Sequence, residues 1–409
     1  MPNLNTLLHP IRLATFGIIL LLVIACGLDS SAAEPTSTID FDAPTVNVPD
    51  NLPPARATAT PELSASGLMQ NPRGPELTNN QEWFNSEPTS IGSLNLEGQV
   101  VLIDFWTYTC INCIRTLPFL LDWDKKYRDR GLTIVGVHAP EFKFEEVAEN
   151  VQSAIDRYGI EYPVVQDNRM ASWNAFNNRF WPAKYLIDTT GAVVFTHFGE
   201  GEYVETEQEI RDALEAAGHD VSDIPIGTGE GPRRDPSATS QTRELYGGYG
   251  RNYSNNGLYA GQPEYYDGPD QQVLYTDNVP HQDGRWYLQG AWTNAEEAIV
   301  HARETIDNED YLIFKFLSRS VNVVINPLGK SAPFKVIVEL RGRPIKVEDA
   351  GDDVEYDDEG RSFITVDSFG REYRVVELDK WGESELTLRP NSPAFAMFAV
   401  TFGSNLDGA

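Results

Sequence analysis

The stretch Val100-Val101-Leu102-Ile103-Asp104-Phe105-Trp106 is apolar except for one acid and shows no period-two alternation. A strand of that composition has no face to offer to water. It belongs in the middle of a sheet covered on both sides by helices, which restricts this part of the chain to an α/β layer fold. The neighbouring segments agree. Cys110 and Cys113 come next, then a helical pattern from Ile114 to Asp129 closed by Gly131, and a second strand over 132–137. A helix over 145–158 and a short strand over 162–165 follow. Trp181-Pro182 then precedes a hairpin, 184–188 with 192–197 around a Thr-Gly turn, and a last helix over 205–217. The order is β-α-β-α-β-β-α.

Two thiols at i and i+3 at a helix start lie close enough to bond to each other. The first points into the helix N-terminus, where unpaired N–H groups and the dipole favour a thiolate. Cys110 is therefore the expected nucleophile on a disulfide, and Cys113, further into the helix, the expected resolving thiol. Other uses of the pair fit less well. So short a loop gains little as a structural staple. A c-type haem site needs His where Ile114 stands. A zinc site needs about four ligands, whereas His138 and His197 are isolated strand residues. The expected redox group is the Cys110–Cys113 disulfide itself, with no other cofactor and no metal.

Composition narrows the rest. The chain has 409 residues, enough for two domains and an extension. Lys and Arg number 32 against 61 Asp and Glu, a net charge of −29. That excludes the basic surface a nucleic-acid binder needs, and a polybasic membrane patch with it. Only three cysteines are present, too few for a disulfide-stapled scaffold.

The N-terminus carries an export signal. Arg12 precedes an apolar run from Leu13 to Ala25, short for a bilayer-spanning helix of roughly 20 residues but suited to a secretory signal. Val23-Ile24-Ala25-Cys26 resembles the bacterial lipoprotein processing box, which implies a signal peptide over 1–25 and a lipid on Cys26. Residues 26–74, rich in Ser, Ala, Thr and Pro, read as a disordered linker, a tether that holds the folded body off a membrane.

WTYTCINCIRTLP and WPAKYLID resemble the thioredoxin superfamily, specifically the exported redoxins of the TlpA and DipZ type. The resemblance spans residues 75–222. It implies that Asp104, six residues before the first cysteine, is a buried acid relaying the proton of Cys113. It also implies that Pro118 kinks the active-site helix and that Pro182 is a cis-proline docking extended client backbone. Trp106 and Trp181 would wall the site. Three features depart from the family pattern. Ile111-Asn112 replaces the Gly-Pro of reducing thioredoxins, Thr116 stands where the haem-maturation branch often has Glu, and Trp181 is bulky for its place.

After an interdomain linker over 223–240 the pattern turns to period two. Segments 321–325, 334–340, 373–378, 385–388 and 395–402 read as short strands of an all-β, jelly-roll-like sandwich over 241–403. This resembles the carbohydrate-binding-module-like domain that follows the redoxin in DipZ-type proteins. Between Tyr246 and Trp292 lie ten aromatic residues: core, a dock against the redoxin, or a stacking platform for glycan. The acid-rich run Glu348–Glu359 reads as a solvated loop.

Together these readings describe an extracytoplasmic thiol–disulfide oxidoreductase, lipid-anchored to a bacterial membrane. Its partners would be protein thiol and disulfide clients, and a separate membrane electron-transfer protein would reduce it. One alternative is peroxide reduction, since Thr107-Tyr108-Thr109-Cys110 has peroxiredoxin spacing, although Ile103 occupies that motif's proline position. Another is a binding protein whose sandwich recognises glycan or a protein partner.

Overall fold

The computed structural model describes residues 73–252, 258–329 and 332–406. The expected signal peptide, Cys26 and the tether up to residue 72 lie outside the described residues. Among the described residues no helix is long and apolar enough to cross a membrane.

The first body runs β1 (Trp83–Phe84), α1 (Ile91–Leu96), β2 (Val100–Trp106), α2 (Ile111–Tyr127), β3 (Leu132–His138), α3 (Ala148–Tyr158), β4 (Val164–Gln166), α4 (Ala171–Ala175), β5 (Ala183–Ile187), β6 (Val193–Phe198) and α5 (Tyr203–Ala216). Its sheet has the order β1-β4-β3-β2-β5-β6, with β2, β3 and β4 parallel. All seven residues of β2 are buried, as its composition requires. Alternate side chains serve opposite cores. Val100, Leu102 and Trp106 pack with Leu117, Leu120 and Trp123 of α2. Val101, Ile103 and Phe105 pack with Ile91, Trp173 and Phe176 on the other face. Parity therefore puts Asp104 on the α2 side.

The helix expected over 145–158 is broken: a 3-10 turn over Lys143–Glu146 leads into α3, with Val147 in extended conformation between them. Helix α2 begins three residues earlier than its periodicity suggested and carries Pro118 internally.

The second body is all-β: β7 (Leu245–Tyr246), β8 (Gln272–Tyr275), β9 (Trp286–Asn294), β10 (Ile299–His301), β11 (Tyr311–Ile325), β12 (Phe334–Leu340), β13 (Arg343–Pro344), β14 (Val354–Tyr356), β15 (Ser362–Val366), β16 (Arg371–Pro390) and β17 (Ala396–Gly403). The ladder closes on itself, from β11 through β17, β10 and β9 back to β11. Segments 373–378 and 385–388, read as two strands, are one: β16 continues through a polar middle and pairs with β11 on both sides of a bulge. The acid run is not a plain loop either. It contains a 3-10 turn (Val347–Asp349) and β14, and arginines balance part of its charge, with Arg371–Asp353 at 2.9 Å and Arg361–Asp357 at 2.8 Å.

The aromatic stretch is mostly core. Tyr265, Tyr275, Trp286, Tyr287 and Trp292 are buried. Trp292, 0% exposed, has no face for a sugar ring, so it cannot form the glycan platform.

The two bodies share apolar packing. Phe142 and Phe144 meet Phe398 of β17 edge-on at 5.2 and 4.8 Å between centroids. The connecting segment is fixed to both: the Gly227 N–H donates to Glu207 of α5, and Asp235 pairs with Arg319 of β11 at 3.1 Å.

Candidate active site

Helix α2 starts where β2 runs out. Cys110 is its N-cap, in extended conformation, and the Cys113 N–H donates to the Cys110 sulfur at 3.3 Å. Cys110 is partly exposed and Cys113 is fully buried, both as free cysteines. Cys110 thus meets solvent and a helix N-terminus, while Cys113 lies one turn deeper in the core.

The loop before the cysteines is held from behind. Thr109 donates its hydroxyl to the buried Glu145. The other carboxylate oxygen of Glu145 accepts the N–H groups of Glu141 and Phe142. Burial, then the charge of Glu141, pushes the Glu145 carboxyl up to about 7. Thr107 is fully buried, its hydroxyl 3.3 Å from Nε2 of His138. Burial lowers the His138 ring to about 3, so it is neutral.

Trp181–Pro182 is a cis peptide bond immediately before β5. Trp181 donates its indole N–H to the Ala139 carbonyl at 3.0 Å and lines one cavity with Cys110, Ile111 and Asn112. Trp106 does not wall the site. It is 0% exposed and lies edge-on to His138, because its even position in β2 turns it into the core beside Cys113.

Residues 75–196 match the AhpC/TSA family model, and residues 242–403 match the thioredoxin-like C-terminal domain. The chain is 35% identical over 324 residues to protein DipZ of Mycobacterium tuberculosis, covering 72% of this chain and 45% of that protein. It is 32% identical over 129 residues to the thiol-disulfide oxidoreductase ResA of Halalkalibacterium halodurans, covering 32% of this chain and 68% of ResA. Among solved structures, a thiol-disulfide isomerase from Corynebacterium glutamicum is 22% identical with a TM-score of 0.31, covering 34% of this chain and 96% of that one. The chain belongs to the thioredoxin-like redoxins of the TlpA and DipZ type. It spans about half the length of the DipZ proteins it matches.

In this redoxin Asp104 does not stand alone. It lies opposite Lys184 of β5 in the antiparallel ladder, with Nζ 3.2 Å from Oδ1 and both side chains sealed. Beyond that contact neither the carboxylate oxygens nor Nζ has a hydrogen-bond partner among the described residues. Burial raises the Asp104 carboxyl above its ordinary value, against the pull of Lys184. Burial also holds the Cys113 thiol well above the usual thiol range, and the Cys110 sulfur and the charge of Asp104 add to it.

Lys184 was readable but missed. A lysine inside a strand that is otherwise Ala, Tyr, Leu and Ile needs a counter-charge, and Asp104 is the acid in the neighbouring buried strand. A further group had no local signal. Tyr246 and Arg251 of the second body reach Glu141 of the first, and Tyr246 also donates to Glu244 at 2.6 Å. The contacts to Glu141 span more than a hundred residues.

Proposed function

We propose that this chain is an extracytoplasmic thiol–disulfide oxidoreductase working through Cys110 and Cys113. The observation that carries the reading is the asymmetry of the pair: one sulfur is reachable at a helix N-cap, and the other is buried beside a carboxyl–ammonium pair. In the reducing direction the Cys110 thiolate attacks one sulfur of a client disulfide. The client S–S bond breaks, a mixed disulfide forms, and the first client thiolate leaves and takes up a proton. Asp104 then accepts the Cys113 proton, and the Cys113 thiolate attacks the Cys110 sulfur. The second client thiolate departs and is protonated in turn. The client gains two electrons and the enzyme closes its own disulfide; the reverse sequence oxidises a client dithiol. Pro182 and Trp181 flank the client backbone.

Cys26 is proposed as the lipid attachment point, and a separate membrane electron-transfer protein as the source of reducing equivalents. The ResA and DipZ relationships support the activity. Peroxide reduction is less well served, because the Thr107 hydroxyl is engaged with His138 and the Cys110 sulfur takes its hydrogen bond from Cys113.

Insulin reduction by dithiothreitol tests the reading. Cys110→Ser should remove turnover, whereas Cys113→Ser should accumulate a mixed disulfide between Cys110 and client. Turnover persisting in the double variant would end the proposal.

A further inference from the structure

Cys110 lines a partly open cavity of about 330 Å³, and about half of that cavity's wall comes from the second body. Gln241, Glu244, Tyr246, Arg251 and Phe402 face Cys110 and Trp181 across it. Through Asn112, Gln241 and Phe402 it adjoins a second space of about 620 Å³ that reaches Arg115 and Glu200. A client approaching Cys110 therefore enters a cleft along the junction rather than resting on an open face.

The wall of the cavity at Cys110 carries two carboxylates, Glu141 and Glu244, and one cation, Arg251. Glu141 is matched by Arg251 in an ion pair. Glu244 has no ion-pair partner among the described residues, and its hydrogen bond comes from the Tyr246 hydroxyl, whose oxygen also stands 3.1 Å from Glu141. One proton cannot serve two carboxylates at once. The second oxygen of Glu244 has no hydrogen-bond partner among the described residues. Burial, then Glu141, pushes the Glu244 carboxyl up to about 7, against the pull of the Tyr246 hydrogen bond and the Arg251 charge.

We infer that the client is an extended, cysteine-bearing peptide segment with a cationic side chain beside its cysteine, and that Glu244 selects this charge. The inference rests on the disulfide-exchange reading above and names the client class for the same site. An ammonium or guanidinium group entering the cleft would supply the donors and the charge that Glu244 lacks. An acidic client would instead add a third carboxylate beside Glu141 and Glu244. A cavity walled from both bodies favours slender segments over disulfides held flat on a folded surface, and an extended segment reaches into it at about 3.3–3.6 Å per residue.

Two fluorogenic nine-residue disulfide peptides, with Lys or with Glu on both sides of the cysteine, provide the test on the full chain. The wild type should show a kcat/KM at least tenfold higher for the Lys peptide. Glu244→Gln, nearly isosteric, should bring the ratio to within about threefold of unity, and Glu244→Lys should invert it. Thermal unfolding of each variant separates loss of the fold from loss of selection. Equal rates for the two peptides in the wild type, or a ratio that survives Glu244→Gln, overturns the inference. A wild type that reduces neither peptide nor the small disulfide DTNB removes the exchange reading, and the inference goes with it.

Discussion

Two carboxylate–cation groups lie on either side of Cys110, and they are built differently. Beneath the cysteines, Asp104 and Lys184 form a sealed pair, one charge against one, at 1% exposure or less. Above them, at the junction, Glu141, Glu244 and Arg251 form an odd set, with the Arg251 side chain 39% exposed. A sealed, balanced pair can pass a proton without exchanging partners. An open, unbalanced set can take up charge from outside. On the proposed reading the contrast separates chemistry from selection: the α/β body would hold the groups that move protons and electrons, and the β body would supply half of what decides who enters.

The largest effect should come from breaking the sealed pair. Lys184→Met leaves the Asp104 carboxyl buried without its counter-charge, an arrangement that costs about 3–5 kcal/mol. Urea unfolding should register a loss of that order. In the double variant Asp104→Leu with Lys184→Met both charges are gone and the volume is kept, so stability should return to within about 1 kcal/mol of the wild type. If the double variant is as unstable as the single one, the pair is not what holds this region and the contrast with the junction weakens.

A smaller effect, seen in kinetics rather than stability, is expected from Asp104→Asn. The Cys113 thiol sits well above the usual thiol range because it is buried, so it stays protonated at neutral pH unless a neighbour takes the proton. Removing that acceptor should slow release of client from the Cys110 mixed disulfide about 100-fold at pH 7, a barrier rise of about 2.7 kcal/mol. As pH rises, hydroxide replaces the lost base and the gap between variant and wild type should narrow. Stopped-flow detection of the released thiol gives both numbers. An unchanged release rate at pH 7 would leave Asp104 as a structural acid.

Much of the lower half of this contrast was legible. β2 announces itself by having no polar face, and its parity directs Asp104 toward α2 and Phe105 away from it. The N-cap position of Cys110 also follows from local pattern, whereas the Trp181–Pro182 cis bond was implied by the family resemblance. Trp106 was misjudged because adjacency to the motif suggested a wall, while the same parity rule sends it inward. The upper half was far less legible. Period two marks strands but not their length, so the charged centre of β16 looked like a loop although its ladder continues on either side of a bulge. Trp292 and its aromatic neighbours look alike whether they fill a core or line a surface. Glu141 meets Glu244, Tyr246 and Arg251 where Phe142 and Phe144 dock on Phe398 and β7 pairs with β17, long-range packing with no local signature.

The smallest effect should be Arg251→Gln, and its pH dependence is more informative than its size. A half-exposed ion pair contributes about 1 kcal/mol or less, so at pH 5 the variant should unfold almost with the wild type. The groups facing Glu244 are Tyr246, Arg251 and Glu141, and its carboxyl lies at about 7 in the folded protein against 4.5 for the free group. A raised carboxyl stabilises the fold fully below 4.5, and that contribution is lost as pH rises through 7. Arg251 opposes the rise, so without it the Glu244 carboxyl moves still higher. The variant should then lose stability with a steeper slope between pH 5 and 8, and the gap from the wild type should widen toward alkaline pH. In Glu244→Gln with Arg251→Gln the extra slope should vanish, because the group that titrates is gone. A gap that stays constant across this range would place Glu244 outside the reach of Arg251, and the junction would then be a balanced pair like the one below it.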